Sequence, residues 1–258
     1  RPSRYHHRMT HDLFRQDAYL RECSAHITAT ADAGIVLDQT VFYPLGGGQA
    51  GDSGVLVLAD GTQITIADTR KGKDADGNPT SDIVHIPAPG QEDRVAQLTP
   101  GTTVTACIDW ERRHRMMRLH TTSHLLCHVV PQLVNGCSIT PDYARLDFAM
   151  TDPLDKEQLT AAIATLVAAA HPLTVASISD EELDANPALV KSMSVQPPRG
   201  TGRIRTIRIG GDGDAPLIDL QPCGGTHVAN TSEIGGIVVT KIEKKSATTR
   251  RVVLGFAP

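Results

Sequence analysis

Two groups of metal-ligating residue types stand about a hundred positions apart in a chain of 258 residues. The first is Leu119-His120-Thr121-Thr122-Ser123-His124-Leu125-Leu126-Cys127-His128. Residues four apart share a helical face, so His120 and His124 can direct two imidazoles at one ion. That spacing is weak alone, because eleven histidines in such a chain give roughly 0.5 chance His-x-x-x-His matches. His124 with His128 is a competing pair. The glutamate of His-Glu-x-x-His is missing, which excludes the zinc-protease arrangement with its built-in general base. The second group is Asp219-Leu220-Gln221-Pro222-Cys223-Gly224-Gly225-Thr226-His227. A thiolate and an imidazole four apart, joined through Gly-Gly, can turn around one ion. Cys-x-x-x-His in isolation reads more simply as a buried thiol and a loop histidine. Together the groups offer three nitrogens and one sulfur, a donor set that suits tetrahedral Zn²⁺.

These residues need elements to hold them. Asp109 is placed to cap a helix from about Glu111 to Val130 that stops at Pro131, which puts the first group on one helix. A second helix is expected from Asp152 as cap, with Pro153 in its first turn, through the Ala-rich run to Ala170. A short acidic helix is expected over 180–185. Before the first helix, β-branched or alternating runs recur at 25–30, 34–37, 54–58, 63–67, 83–86 and 102–108, separated by turn clusters such as Ala59-Asp60-Gly61. Short strands with tight turns suggest a small barrel or sandwich. Strand-like runs return at 204–209, 237–242 and 251–256. The domain boundary therefore falls near 109, with the histidine and cysteine groups beyond it.

Composition narrows the classes. The chain is 40% hydrophobic, 21% charged and formally −4 at pH 7. No stretch approaches the ~20 apolar residues of a spanning helix, so no membrane partner is expected. Aromatics are only 3%, so the core must come from Val, Ile, Leu and Ala, and base stacking is not expected to dominate any nucleic-acid contact. The negative total argues against binding by bulk charge, yet residues 199–258 hold nine basic and five acidic side chains. That segment reads either as solvated strand edges or as a local anion-binding face. Five cysteines without a Cys-x-x-Cys pair are expected to be reduced thiols in a cytoplasmic chain. Met9 is the expected native start, with residues 1–8 a non-native or disordered leader.

His120-Thr-Thr-Ser-His124-Leu-Leu followed by Gln221-Pro-Cys223-Gly-Gly-Thr-His227-Val-Ala-Asn-Thr-Ser-Glu-Ile-Gly closely resembles the editing domain of alanyl-tRNA synthetase and its free-standing relatives, the AlaX trans-editing proteins. Three more stretches are similar to the same family. They are Phe42-Tyr43-Pro44-Leu45-Gly46-Gly47-Gly48-Gln49-Ala50-Gly51-Asp52-Ser53-Gly54; Asn135–Ile139 with Ala144–Phe148; and Lys241–Lys245 through Arg250-Arg251. The Gly-rich motif marks the longer AlaX forms. Gly46-Gly47-Gly48-Gln49 also matches the Gly-Gly-Gln of release factors, but its flanks match the editing family.

The resemblance implies an α+β chain: an N-terminal small β-barrel over 9–109, bearing the Gly-rich motif, then an α+β editing domain of the threonyl/alanyl-tRNA synthetase type over 110–258. It implies that His120, His124, Cys223 and His227 hold one Zn²⁺ per chain, leaving His128 to packing or the surface. Ser123 and Thr121 then offer hydroxyls beside the metal. Asp219 reads either as an orienting group for a ligand or water, or as a strand-end turn residue. Gly224 and Gly225 read either as oxyanion N–H donors or as a tight turn. Gly46, Gly47, Gly48, Gln49, Arg112, Arg115, Arg199, Lys244, Lys245 and Arg250 are candidate tRNA contacts, and Arg113 and Arg118 share that reading through their place on the helix.

The implied activity is deacylation of mischarged Ser-tRNA(Ala), with Gly-tRNA(Ala) a further candidate and Ala-tRNA(Ala) spared. No DNA or protein partner is implied. Alternatives are an editor of Ser-tRNA(Thr), which the Gly-rich segment disfavours, and a zinc-stabilised tRNA-binding module without hydrolysis. The metal could activate water, orient the substrate or hold the pocket together; with four candidate ligands and no glutamate in the motif, the last two are favoured over attack by metal-bound hydroxide.

Overall fold

A computed structural model describes residues 10–31, 33–191 and 202–258. The expected leader and Arg199 lie outside the described residues. The chain forms two compact units. One takes in the chain up to Gly46 with Ala50–Arg113; the other combines Gly47–Gln49 with His114–Pro258.

In the first unit, strands β1 (Glu22–Ala31), β2 (Gly34–Leu37), β3 (Gly54–Leu58), β4 (Gln63–Lys73), β5 (Pro79–Pro87) and β6 (Thr103–Ile108) pair antiparallel. They close into a barrel in the order β1-β2-β5-β4-β3-β6. Because side chains alternate along a strand, every second residue points inward. Ala25 and Ile27, Ile35 and Leu37, Ile64 and Ile66, Val104 and Ala106 are accordingly buried, joined by Leu56. Among the described aromatic residues only Phe42 belongs to that buried cluster.

One polar side chain also enters this interior. His85 on β5 is fully buried; its Nδ1 lies 2.9 Å from the Ile35 carbonyl, its Nε2 lies 2.8 Å from Thr40 Oγ1, and its ring meets Phe42 edge-on. Burial pushes its pKa down to about 4, only partly opposed by the Ile35 carbonyl. The unfolded chain therefore takes up this proton below about pH 6.5 while the folded chain does not, and stability falls as pH drops through that window. Between pH 7 and 5 the wild type should lose about 2 kcal/mol more than a His85→Gln variant. Urea denaturation at the two pH values measures the difference, and parallel slopes would contradict it.

Helix α1 (Trp110–Val129) matches its expected span to within a residue. The Asp109 carboxylate accepts from the Arg112 N–H at 3.2 Å, as a cap should. Beyond it the second unit has β7 (Val134–Ile139), β8 (Tyr143–Ala149), α2 (Lys156–Ala168), β9 (Leu173–Ser179), α3 (Asp180–Ala185), β10 (Arg203–Gly210), β11 (Leu217–Pro222), β12 (Ile237–Ser246) and β13 (Thr249–Phe256). Strands pair antiparallel in two sheets, β12-β13-β8-β7 and β9-β10-β11.

Helix α2 starts later than expected. Asp155, not Asp152, accepts the Gln158 N–H at 2.9 Å, so the segment before it stays out of the helix. The acidic helix α3 forms over its expected span, fixed by a Ser179/Glu182 capping box. Among the described residues of the second unit, four strands fall outside the expected set: β7 contains Asn and Gly, β8 alternates without a turn signal, β9 is mostly exposed, and β11 ends in Gln-Pro.

Candidate metal centre

The second unit gathers its polar chemistry on α1. Thr121 and Thr122 are fully buried, and His120, Ser123 and His124 are nearly so. Burying such a row is tolerable only if each group finds a partner. Thr122 donates to the Arg118 carbonyl at 2.7 Å and Ser123 to the Leu119 carbonyl at 2.9 Å. The Ser123 proton is thus spent inside the helix rather than beside the ligand cluster.

His120 and His124, one turn apart, meet the residues that follow β11. The ligand atoms of His120, His124, Cys223 and His227 all lie within 4.8 Å of one another. Imidazole centroids are separated by 5.2 Å (His120–His124), 4.3 Å (His120–His227) and 4.5 Å (His124–His227). Cys223 Sγ lies 3.6 Å from His120 Nε2 and 3.4 Å from His227 Nε2. His128 points elsewhere and is exposed, which decides between the two histidine pairs.

Each imidazole has its Nδ1 facing a different protein oxygen. His120 Nδ1 lies 2.7 Å from Gln49 Oε1, His227 Nδ1 lies 3.1 Å from Thr121 Oγ1, and His124 Nδ1 lies 3.4 Å from Asp219 Oδ2. The last distance is an ion-pair contact too long for a good hydrogen bond, so that buried nitrogen has no hydrogen-bond partner. Asp219 is itself buried between Lys191, which pairs with its Oδ1, and Gln221, which donates to its Oδ2 at 2.7 Å. Burial would raise the Asp219 carboxyl, but His124 and Lys191 hold it below its ordinary value. Asp219 therefore stands inside β11 as a buried carboxylate facing His124 and Lys191, and not in a strand-end turn.

The sulfur is set up as a thiolate. Burial would raise the Cys223 pKa, but the neighbouring His120 and the hydrogen bonds from His120 and His124 bring it well below the usual thiol value. Burial and the neighbouring imidazoles of His120 and His124 keep His227 well below its ordinary pKa, hence neutral and able to donate a lone pair. His124 runs the other way: burial lowers it, but Asp219 and Cys223 raise it to about 9. The Gly225 N–H points at Cys223 Sγ at 3.4 Å, so it faces the thiolate and not the expected oxyanion. Gly224 is exposed. Arg205, with no motif to mark it in the sequence, ties the turn down by donating to the Cys223 carbonyl at 2.7 Å and the Gly225 carbonyl at 3.0 Å.

The basic residues separate into two kinds. Arg112 donates to the Gly51 carbonyl at 2.7 Å. Arg115 donates to the Pro141 carbonyl and lies over the Phe256 ring at 4.0 Å; Arg118 donates to the Ile234 carbonyl and lies over the same ring. Arg250 is buried and bonds the Ser246 and Thr249 carbonyls. Arg113 is wholly buried against Asp52 and cannot reach a phosphate. Lys244 and Lys245 are exposed on β12, with Lys245 3.4 Å from Glu243. Gln49 departs from its expected place at a tRNA surface. It is fully buried against His120 and Thr226, so no surface is left for tRNA. Gly47 is exposed and Gly46 and Gly48 half-buried.

Residues 204–253 match the family model of the threonyl and alanyl tRNA synthetase second additional domain, and residues 7–112 match that of class II (A) tRNA synthetases. The alanyl-tRNA editing protein AlaX-M of Saccharolobus solfataricus is 32% identical over 254 residues, covering 97% of this chain and all of that protein. The chain belongs to the AlaX-M alanyl-tRNA editing proteins. AlaX-M of Methanosarcina acetivorans is 31% identical over 95% of this chain and 98% of its own length. The alanine–tRNA ligase of Metallosphaera sedula is 34% identical over 91% of this chain, which spans a quarter of that enzyme. Among the described residues of this AlaX-M chain, no helix is long and apolar enough to cross a membrane.

Proposed function

We propose that the chain deacylates mischarged tRNA(Ala), taking Ser-tRNA(Ala) and Gly-tRNA(Ala) and sparing Ala-tRNA(Ala), with one Zn²⁺ held by His120, His124, Cys223 and His227. The observation that carries the reading is the convergence of four ligand atoms within 4.8 Å. Bonds of about 2.0–2.1 Å to nitrogen and about 2.3 Å to sulfur place the N···S edge of a tetrahedron near 3.6 Å. The Cys223 Sγ to His120 and His227 Nε2 distances are 3.6 and 3.4 Å. The donor set is right for zinc, and buried imidazoles with their Nδ1 atoms turned outward fit ligands with a surrounding shell of orienting groups.

When bound, zinc would supply a fixed positive centre that orients a polar substrate group and holds the pocket together. The chain's own residues do the rest. Cys223 brings a negative sulfur whose charge the Gly225 N–H shares. Gln49 and Thr121 hold two of the imidazoles at hydrogen-bond distance, and Asp219 faces the third as an ion pair. Selection of serine over alanine requires a polar site, because a pocket built to bond the serine hydroxyl leaves buried groups unpaired when alanine enters, which separates the two by about 10⁴-fold. Lys244 and Lys245, exposed on β12, are the proposed phosphate contacts.

The test is to incubate the chain with Ser-tRNA(Ala), Gly-tRNA(Ala), Ala-tRNA(Ala) and Ser-tRNA(Thr) and follow release of the amino acid. Loss of serine and glycine from tRNA(Ala), with alanine retained, is expected. Preferential loss from tRNA(Thr) would make it a threonyl editor, and no hydrolysis of any substrate would leave only a binding module.

A further inference from the structure

Gln49 lies 71 positions before His120 in sequence, and its side chain is entirely buried in the second unit. It makes three contacts there. Its Nε2 donates to Thr226 Oγ1 at 2.8 Å, its Oε1 accepts from the Thr226 backbone N–H at 3.2 Å, and the same Oε1 lies 2.7 Å from His120 Nδ1. The backbone N–H can only donate, so it fixes which end of the amide is oxygen. With oxygen facing His120, Nδ1 must carry the proton, because two lone pairs at 2.7 Å would repel. In the neutral form that binds a metal, His120 then keeps its lone pair on Nε2, the atom that faces Cys223.

The surroundings are shaped for this contact. A Cβ on Gly225 would sit 2.2 Å from His120 Cε1 and 2.8 Å from Gln49 Oε1, so only glycine lets the three meet. The segment bearing Gln49 is held on β7 by the Ile139 N–H donating to the Gly48 carbonyl at 2.7 Å. Gly48, with φ of +85°, approaches Cys137 so closely that a Cβ would lie 2.5 Å from its sulfur. The Gly-rich motif thus delivers one amide to one imidazole.

We infer that Gln49 is a positioning residue for the metal centre: it locks His120 in the Nδ1–H tautomer and holds its ring so that Nε2 can bind the ion. The inference rests on the metal reading of the His120/His124/Cys223/His227 cluster. Loss of such an outer partner costs about 10–100-fold in metal affinity.

Zn²⁺ affinity is measured by competition with a chromophoric chelator for the wild type, Gln49→Met and Gln49→Glu. Gln49→Met fills the space without accepting a hydrogen bond, and its affinity should fall about 10–100-fold. Gln49→Glu keeps the acceptor and should stay within about threefold of wild type. A role in packing alone would not separate the two variants. Equal affinity of Gln49→Met and wild type, or equal weakening of both variants, overturns the inference. Should Gln49→Met fail to fold, the wild type still decides: ¹⁵N-histidine NMR must show His120 protonated at Nδ1, and a proton at Nε2 with none at Nδ1 refutes the role. Wild type that takes up no Zn²⁺ overturns the metal reading, and the same spectrum then judges Gln49 separately.

Discussion

Cys223→Ala is expected to empty the metal centre and abolish editing. The thiolate is the only negative ligand among the four, and it faces two imidazole Nε2 atoms at 3.4 and 3.6 Å. Its removal must cost more than the roughly 10–100-fold attached to an outer hydrogen-bond partner. After dialysis against a chelator, the wild type should keep about one zinc per chain and the variant almost none, with deacylation of Ser-tRNA(Ala) down by at least about 100-fold. Cys127 is the control. It sits on the same helix as His120 and His124 but outside the cluster of four ligand atoms, and burial pushes its thiol up to about 12. Cys127→Ala should keep its zinc. Retained zinc in Cys223→Ala would mean that a different set of side chains holds it.

Much of the centre is legible in the sequence, because ligand chemistry leaves marks at fixed spacing. His120 and His124 one helical turn apart, and Cys223 and His227 around Gly-Gly, are local patterns that a fold has only to bring together. The orienting groups leave weaker marks. Gln49 stands in a Gly-rich run that reads as a loop approaching RNA or the other domain, and nothing local says that its amide turns inward. Its role depends on a parallel bridge between Gln49 and Ile139, a pairing 90 residues apart that no periodicity encodes. Arg205 is one of several arginines on β10, and only the register of Cys223 against it reveals that it clamps the turn. The basic residues mislead for the opposite reason. Charge in a sequence suggests exposure, whereas Arg115, Arg118 and Arg250 spend theirs on carbonyls and an aromatic ring. Strand positions are readable where one face is buried, as in the barrel, and obscure where neither face is, as in β9.

Asp52→Ala should destabilise the first unit by about 3–5 kcal/mol, the cost of leaving a buried charge without its partner. Asp52 and Arg113 are both inaccessible to solvent. Arg113 Nε lies 2.9 and 3.2 Å from the two carboxylate oxygens, and its remaining nitrogens donate to the Val41 carbonyl at 2.6 Å and the Ala18 carbonyl at 3.1 Å. The carboxylate also takes the Tyr43 N–H at 2.8 Å, so removing it strands two donors at once. The Gly51-Asp52-Ser53-Gly54 stretch that resembles the family motif is therefore a fold element: its acid answers an arginine 61 residues away on α1. Removing both charges should cost far less than the single change, because paired buried ions often contribute little relative to apolar replacements of similar volume. A cycle of Asp52→Ala, Arg113→Met and the double variant, followed by urea denaturation, measures this. The single changes should each lower the midpoint sharply and the double variant should recover part of the loss. Additive losses would show that the two residues act independently, against the geometry that joins them.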